Sequence, residues 1–359
     1  PDDAVVKDVF GNKSQLTRLA FEGVLKDGGI EPGRAFTVLA SRFLDGVPKG
    51  GFEPEGVRAD DANDTIPHQD RRELRGSRIL FAWLQHTDIK PQNSIDMYTE
   101  DPSKPDTHYL MHYWVDFGLS LGTFGHGRNW QWDGYAHTFD FGLMGKSLIT
   151  FGLWNAPWEN TVTPDVPGVG HFSSEHFHVD DFRAIYPFLP HERADRLDSF
   201  WATKILMRFT PEHIRTAVEQ GGYEHQESVD YLVKTLVERQ RSIGRVWLTR
   251  VTSFDEVRLD HGRLCAADLL VKAGLDEGTP RYRAHAYDRE GNPVEWEPLA
   301  DTEGETVCFP EAPLSESENG YTIFALSVER PGIENAPPLW VHVAREEGGA
   351  PRVIGLWRE

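Results

Sequence analysis

Apolar residues recur along this chain with two different periods, and the change from one to the other divides it. Residues 14–26 (SQLTRLAFEGVLK) set Leu16, Leu19, Ala20 and Val24 at helical spacing ahead of Gly28-Gly29, which predicts a short amphipathic helix. Residues 35–44 (AFTVLASRFL) are β-branched and aromatic enough for a strand, which Asp45-Gly46 turns into a loose, Pro- and Gly-rich segment over 47–67. Asp70-Arg-Arg-Glu73 fits a capping box at the head of the helix RELRGSRILFAWL, whose Leu74, Leu80, Phe81 and Leu84 are expected to face a core. That helix ends just before His86. Residues 94–98 and 109–115 read as strands joined by the polar linker EDPSKPDT, a hairpin with a long tip. Residues 118–172 are rich in Gly and aromatics and show little periodicity. Helices are expected again at 193–207, at 210–219 with Thr210 as N-cap and Pro211 in first position, and at 227–247. The last carries Val229, Leu232, Val233, Leu236, Val237 and Ile243 on one stripe. From about Phe254 the period shortens: RYRAHAYD, TVCF, YTIFALSV, LWVHVA and RVIGLW alternate with turn residues such as Gly291-Asn292, which predicts a small β domain. No internal repeat is visible.

Composition narrows the class. The 359 residues are 39% hydrophobic and 11% aromatic, too much apolar and ring surface for a solvating acidic tail, and long enough to bury a core in two or three units. The net charge of -20 repels phosphate backbones, and Arg71, Arg72, Arg75 and Arg78 are offset by Glu73, so no nucleic-acid partner is expected. The longest core-like apolar stretch, residues 79–84, is far short of the roughly 20 residues a membrane helix needs, so no span is expected. Two cysteines, Cys265 and Cys308, are too few for a disulfide scaffold or a cysteine zinc site; one bridge in an oxidising compartment and two buried thiols both remain open. The chain opens at Pro1 with no apolar signal core, which suggests a processed or trimmed product.

The informative chemistry lies in His86-Thr-Asp-Ile-Lys-Pro-Gln-Asn93, followed after the hairpin by Val115-Asp-Phe-Gly118. Phosphoryl transfer needs a carboxylate to orient the attacking hydroxyl and take its proton, which Asp88 can do. Lys90, two residues on, can neutralise the transferring phosphoryl; Asn93 and Asp116 offer oxygen ligands to Mg2+. A lone HxD or a lone DFG is common in other settings, but this order of polar positions, helix and hairpin is far more specific. It resembles the catalytic core of the protein-kinase-like superfamily, a loop of the form H-x-D-x-K-x-x-N and then D-F-G at the end of the next hairpin. The resemblance implies an atypical kinase-like α+β fold. Residues 1–65 would be a partial N-lobe segment and hinge, 66–250 a mainly helical C-lobe, and 251–359 an appended β-rich domain. It further implies that Asp88 is the base, Lys90 the phosphate clamp, Asn93 and Asp116 the metal ligands, and His86 a packing residue beneath Phe117. The strand at 35–44 looks like the last N-lobe strand, so that backbone near Phe43, Leu44, Asp45 and Gly46 would face the adenine of ATP.

Departures from the pattern carry information too. Thr87 stands where an Arg is usual, so a pocket that reads a phosphorylated activation loop should be missing. The 22 residues between Asn93 and Asp116 make a long hairpin, and Ala156-Pro-Trp-Glu159 only approximates the expected A-P-E. No Gly-rich phosphate loop precedes residue 35, although Ala4-Val-Val-Lys7 faintly resembles a lysine strand and Glu22 is a candidate partner. The layout SRFLDG, HTDIKPQN, VDFGLSLG, SFWATKIL and RVIGLWR is similar to a group of bacterial proteins, many of them exported, in which a lysine-bearing strand lies upstream. An upstream N-lobe segment or companion chain is therefore expected to complete the cleft, in an extracytoplasmic setting. The implied activity is ATP- and Mg2+-dependent transfer to a hydroxyl of a protein or glycan; the alternative is a pseudokinase or structural subunit of an extracytoplasmic assembly.

Two rival features complete the reading. His171, His176 and His178, with Glu175, Asp180 and Asp181, cluster in HFSSEHFHVDD and could bind a transition metal, although a polar surface loop explains them more simply. Trp130, Trp132, Trp154 and Trp158 could form a carbohydrate- or peptide-stacking face, or merely pack core and rim.

Overall fold

Where apolar residues recur every third or fourth position the chain is helical, and where they alternate it pairs into antiparallel sheets. The structure, a computed structural model, describes residues 5–7, 13–27, 43–124, 127–315, 320–345 and 349–359. The chain is mixed α+β and divides into two compact units, residues 1–46 and 47–359.

In the first unit, β1 (Val5–Lys7) pairs antiparallel with β2 (Lys13–Gln15), and α1 (Arg18–Asp27) follows. The helix expected from residue 14 thus starts later, because residues 13–15 form backbone bonds with β1 instead. Leu19 is mostly exposed, and the Glu22 carboxylate pairs with Arg18 one turn back at 2.8 Å. The strand expected at 35–44 lies outside the described residues except for Phe43 and Leu44, which are in no strand.

The second unit begins with a small sheet, β3 (Val47–Pro48), β4 (Ser94–Glu100) and β5 (His108–Trp114), in that spatial order. Asp96 is fully buried on β4, where its carboxylate takes Arg58 Nη1 at 2.6 Å and His112 Nδ1 at 2.5 Å. Segment 49–58 is thereby tied to the hairpin. α2 (Arg72–Leu84) follows, with Ile79, Phe81, Ala82 and Trp83 buried and Leu80 and Leu84 packed at the core edge. The capping box expected at Asp70 and Glu73 does not form: Arg71 is the N-cap without a side-chain bond, and Asp70 instead pairs with Arg193 at 2.9 Å. After the ribbon β6 (Thr123–Phe124) and β7 (Gly127–Arg128), the supposedly aperiodic stretch contains α3 (Phe141–Ile149), capped by Asp140. None of its residues is buried, which explains the missing signal: a helix with no buried face has no stripe to read.

Further on lie α4 (Leu189–Glu192), α5 (Arg196–Leu206), α6 (Pro211–Glu219) and α7 (Gln226–Trp247). Thr210 caps α6, its hydroxyl taking the His213 N–H, with Pro211 in the first turn where a missing N–H is harmless. The apolar faces of α2, α5 and α7 close on loop residues 169–188 in one core. The β-rich part then adds β8 (Phe254–Asp260), β9 (Arg263–Asp268), α8 (Leu269–Lys272), β10 (Arg281–Tyr287), β11 (Pro293–Val294), β12 (Asp301–Glu303), β13 (Thr306–Phe309), β14 (Tyr321–Glu329), β15 (Leu339–Ala344) and β16 (Arg352–Arg358). Two antiparallel sheets, β11-β10-β14-β15-β16 and β12-β13-β9-β8, bury Phe254, Phe309, Phe324, Leu326 and Val341 in a shared core. Cys265 and Cys308 are cross-strand partners on β9 and β13 and are joined as a disulfide. A third cluster, Phe200, Leu248, Val251, Leu270 and Leu275, joins this β-rich part to α5 and the end of α7. No helix among the described residues is long and apolar enough to cross a membrane.

One buried cation links these layers. Arg239 of α7 is 2% exposed, its guanidinium 4.0 Å from the ring centre of Phe172 and 4.4 Å from that of Phe177. It donates to Ser173 O and to Gln85 Oε1, each at 2.8 Å. Its hydrogen-bond partners among the described residues include no carboxylate, and burial pushes its pKa down to about 10. Two π faces and oriented carbonyls replace the lost water. Arg239→Ala is expected to destabilise the protein by about 3–5 kcal/mol, because it leaves a cavity and strips Gln85 and Ser173 of their donor. Urea unfolding measures this directly; a loss below about 1 kcal/mol would contradict the pinning role.

Burial also sets a pH dependence. His191 of α4, its Nε2 2.9 Å from Ser77 Oγ, is held well below the usual histidine range by burial, then by Arg78 and His86. His86 is lowered chiefly by burial as well. Both rings are kept neutral by the fold but protonate in the unfolded chain below about pH 6.5, so stability is full above that pH and falls as pH drops through it. The expected slope is up to about 1.4 kcal/mol per pH unit for each such histidine. Denaturant midpoints across this range should show His191→Gln with a shallower slope than the parent chain; identical slopes would refute the assignment.

Candidate active site

The turn from α2 into the next sheet is built from the inside outward. Gln85 ends α2 in the left-handed region, φ 52°, and is 4% exposed. Its amide nitrogen donates to Asp133 O and His171 O, both at 3.1 Å, while its oxygen takes Arg239. All three bonds are tertiary, so Gln85 fixes the direction in which the chain leaves the helix.

His86 follows, fully buried. Its Nδ1 lies 3.1 Å from Ser120 Oγ, and its ring sits 4.9 Å from Phe81 on one side and 4.9 Å from Phe117 on the other. Held neutral by burial, it packs the loop and carries no charge into it. Thr87 is fully buried as well, its N–H donating to Leu119 O at 3.2 Å and its carbonyl accepting Ile185 N–H at 2.9 Å. An arginine at this position would have to bury its guanidinium, which gives a physical reason for the threonine.

Asp88, Lys90 and Asn93 then meet on the loop, Lys90 partly exposed, Asp88 half-buried and Asn93 buried. Lys90 Nζ is 2.8 Å from Asp88 Oδ2, and Asn93 Nδ2 donates to the same oxygen at 3.0 Å and to Asp88 O at 2.8 Å. Among the described residues this leaves Asp88 Oδ1 and Asn93 Oδ1 without a hydrogen bond, so each is available as an acceptor. Beneath the loop, Gly51 passes so close that a Cβ there would lie 2.1 Å from Pro91 O. The residue must be glycine for the backbone to approach.

Asp116 arrives from the far strand of the hairpin. Ser94 pairs with Trp114 across β4 and β5, and Val115 N–H donates to Asn93 O at 2.9 Å, so Asp116 emerges one residue beyond a direct bond to the Asn93 backbone. It sits at φ 58°, a left-handed conformation that Asp tolerates better than most residues, and its Oδ1 accepts the Gly118 N–H at 3.2 Å. The Asp88 and Asp116 charges both oppose the effect of burial on His86, and burial remains the larger. The loop and the DFG turn are thus one assembly. The oxygen donors offered, an amide and carboxylates, are the hard type that Mg2+ takes.

The other sequence candidates fall elsewhere. Phe43, Leu44, Asp45 and Gly46 close the first unit as an irregular segment, with Phe43 80% exposed. Ala156 is buried ahead of a tight turn at residues 157–160. The histidine loop is committed to other bonds: His171 Nδ1 to Thr163 Oγ1 at 2.8 Å, and Asp180 to Arg250 through both oxygens. No group of three or more His, Cys, Asp or Glu is placed to hold a metal among the described residues. Sequence reading missed Gln85 and Arg239, yet the second had a signal. Arg239 stands three residues after Leu236 and four before Ile243, a charge on the apolar stripe of α7. Compared with family models, with curated proteins and with solved structures, the chain matches none.

Proposed function

We propose that this chain is an atypical protein-kinase-like phosphotransferase, moving the γ-phosphoryl group of ATP, held with Mg2+, to a hydroxyl of a protein or glycan. One observation carries the reading: Asp88 Oδ2 is shared by Lys90 and Asn93 while Asp88 Oδ1 is left open, above a buried His86 that packs on Phe117. In this arrangement Asp88 Oδ1 accepts the acceptor hydroxyl's hydrogen bond and then its proton. Lys90 lies on the other oxygen, where its charge faces a transferring phosphoryl without leaving the carboxylate. Asn93 Oδ1 and the Asp116 carboxylate would hold the magnesium, which screens phosphate charge when bound. The Asn93 nitrogen already faces Asp88, which leaves its amide oxygen for the metal.

The Cys265–Cys308 bridge supports an extracytoplasmic setting, because such bonds persist under oxidising conditions. A second reading, a pseudokinase or structural subunit, is favoured by the apolar surface around α3. There Phe141 is 79%, Leu148 78% and Phe151 92% exposed, more open apolar surface than a lone chain ordinarily carries.

Thermal unfolding separates the two readings. Mg2+ and ATP together should stabilise the protein, by about 2.7 kcal/mol at a hundredfold excess over Kd, and neither alone should match that. Asp116→Ala is expected to abolish the shift. Asp88→Asn, which keeps the shape of the Lys90 and Asn93 contacts, should retain the shift yet lower transfer by about 10²–10⁴. No shift with both present would favour the structural subunit.

A further inference from the structure

Four tryptophans separated in sequence converge on one cavity. Trp130, Trp132, Trp154 and Trp158 all line a space of about 680 Å³, within the range of small-molecule sites. Trp130 and Trp132 stack with centroids 5.0 Å apart and planes within 4°, and Trp154 meets Trp158 edge to face at 6.4 Å. The first pair is not consumed by the core, Trp130 remaining 65% and Trp132 43% exposed, and the second is half-buried. Three carboxylates, Asp133, Asp140 and Glu159, share the wall, and no Lys or Arg does among the described residues. The Lys146 ammonium lies over the Trp154 ring at 4.2 Å. Asp133 is buried, and its Oδ2 accepts the Trp130 backbone N–H at 3.2 Å.

The cavity's position matters as much as its walls. Leu119 and Ile185 line it, and these are the two residues whose backbones bond Thr87, the neighbour of Asp88. The aromatic cavity is therefore tied through the buried Thr87 to the loop that carries the proposed base, while Asp88 itself is not among its lining residues.

We propose that this cavity binds the acceptor of the transfer reaction, and that the acceptor is a saccharide lacking anionic groups. The inference rests on the phosphotransferase reading for its chemistry, though not for its binding. Indole faces are electron-rich and suit the C–H face of a sugar ring, while carboxylate oxygens accept its hydroxyls. A wall with three carboxylates against the single ammonium held over Trp154 repels an anionic acceptor. In the transfer, the sugar hydroxyl oxygen forms a bond to the γ-phosphorus of the nucleoside triphosphate. The bond from that phosphorus to the β,γ-bridging oxygen breaks, the hydroxyl proton passes to Asp88, and the nucleoside diphosphate leaves with the electron pair.

The test is titration of the whole chain, followed by indole fluorescence and calorimetry, with cellobiose, N,N′-diacetylchitobiose, glucosamine, glucuronic acid and a serine-containing peptide. Saturable binding of at least one of the first three at roughly 10 mM or below, with none by glucuronic acid, is expected. Trp130→Ala, a change at a largely exposed ring, and Asp133→Asn should each weaken that binding by about tenfold or more. No sugar binding, equal binding of glucuronic acid, or binding of the peptide alone overturns the assignment. A Mg–ATP thermal shift without sugar binding sinks the saccharide assignment and leaves the phosphotransferase standing. Sugar binding without phosphate transfer from ATP sinks the phosphotransferase and leaves the cavity.

Discussion

A buried guanidinium with no carboxylate beside it among the described residues is the constraint on which the rest of the second unit depends. Arg239 leaves water for two phenyl faces and a set of carbonyl and amide oxygens contributed by Gln85, Ser173 and Ala82. A charge so placed is tolerable only if all its partners stay in position at once, since losing any of them leaves a polar group stranded away from water. α7, the end of α2 and the loop at 172–177 are therefore held in one arrangement. An apolar residue of similar size would fill the space without dictating it.

What this arrangement positions is a turn. Gln85 directs the chain out of α2, His86 and Thr87 bury its first two residues, and only then does the chain reach the surface with Asp88. The polar cluster at Asp88, Lys90 and Asn93 is thus carried by a rigid base, with the hairpin adding Asp116 from the opposite strand. A functional group on such a base needs little reorganisation when a ligand arrives. The same base reaches the tryptophan-lined cavity through Leu119 and Ile185, both bonded to Thr87. One buried threonine therefore touches both the loop and the cavity wall.

The β-rich part is fastened to the helical part by more than chain connectivity. Lys204 Nζ meets Asp255 Oδ2 at 2.5 Å, and the Arg358 guanidinium lies over Phe200 at 5.0 Å from its ring centre while donating to Phe254 O. With the apolar cluster around Leu248 and Leu275, these contacts join the last strand to α5. The sandwich therefore braces the helical layer on the side where α5 and the end of α7 pack.

The amino-acid sequence by itself determined those elements whose residues carry their own instructions. Thr210-Pro211 starts α6, the stripe on α7 sets its buried face, and alternating residues in 321–329 and 339–344 make paired strands. Local spacing also put Asp88, Lys90 and Asn93 on one short loop, where five residues suffice to bring them into contact. Tertiary structure decided what depended on distant partners. Residues 13–15 became a strand because β1 offered backbone bonds, Asp70 left its capping role for Arg193, and α3 formed with no buried face to announce it. Gln85 and Arg239 lie 154 residues apart, and no local pattern pairs them. Helix caps and periodicity act over a few residues, whereas burying a charge or gathering four tryptophans around one cavity requires the whole chain to have folded first.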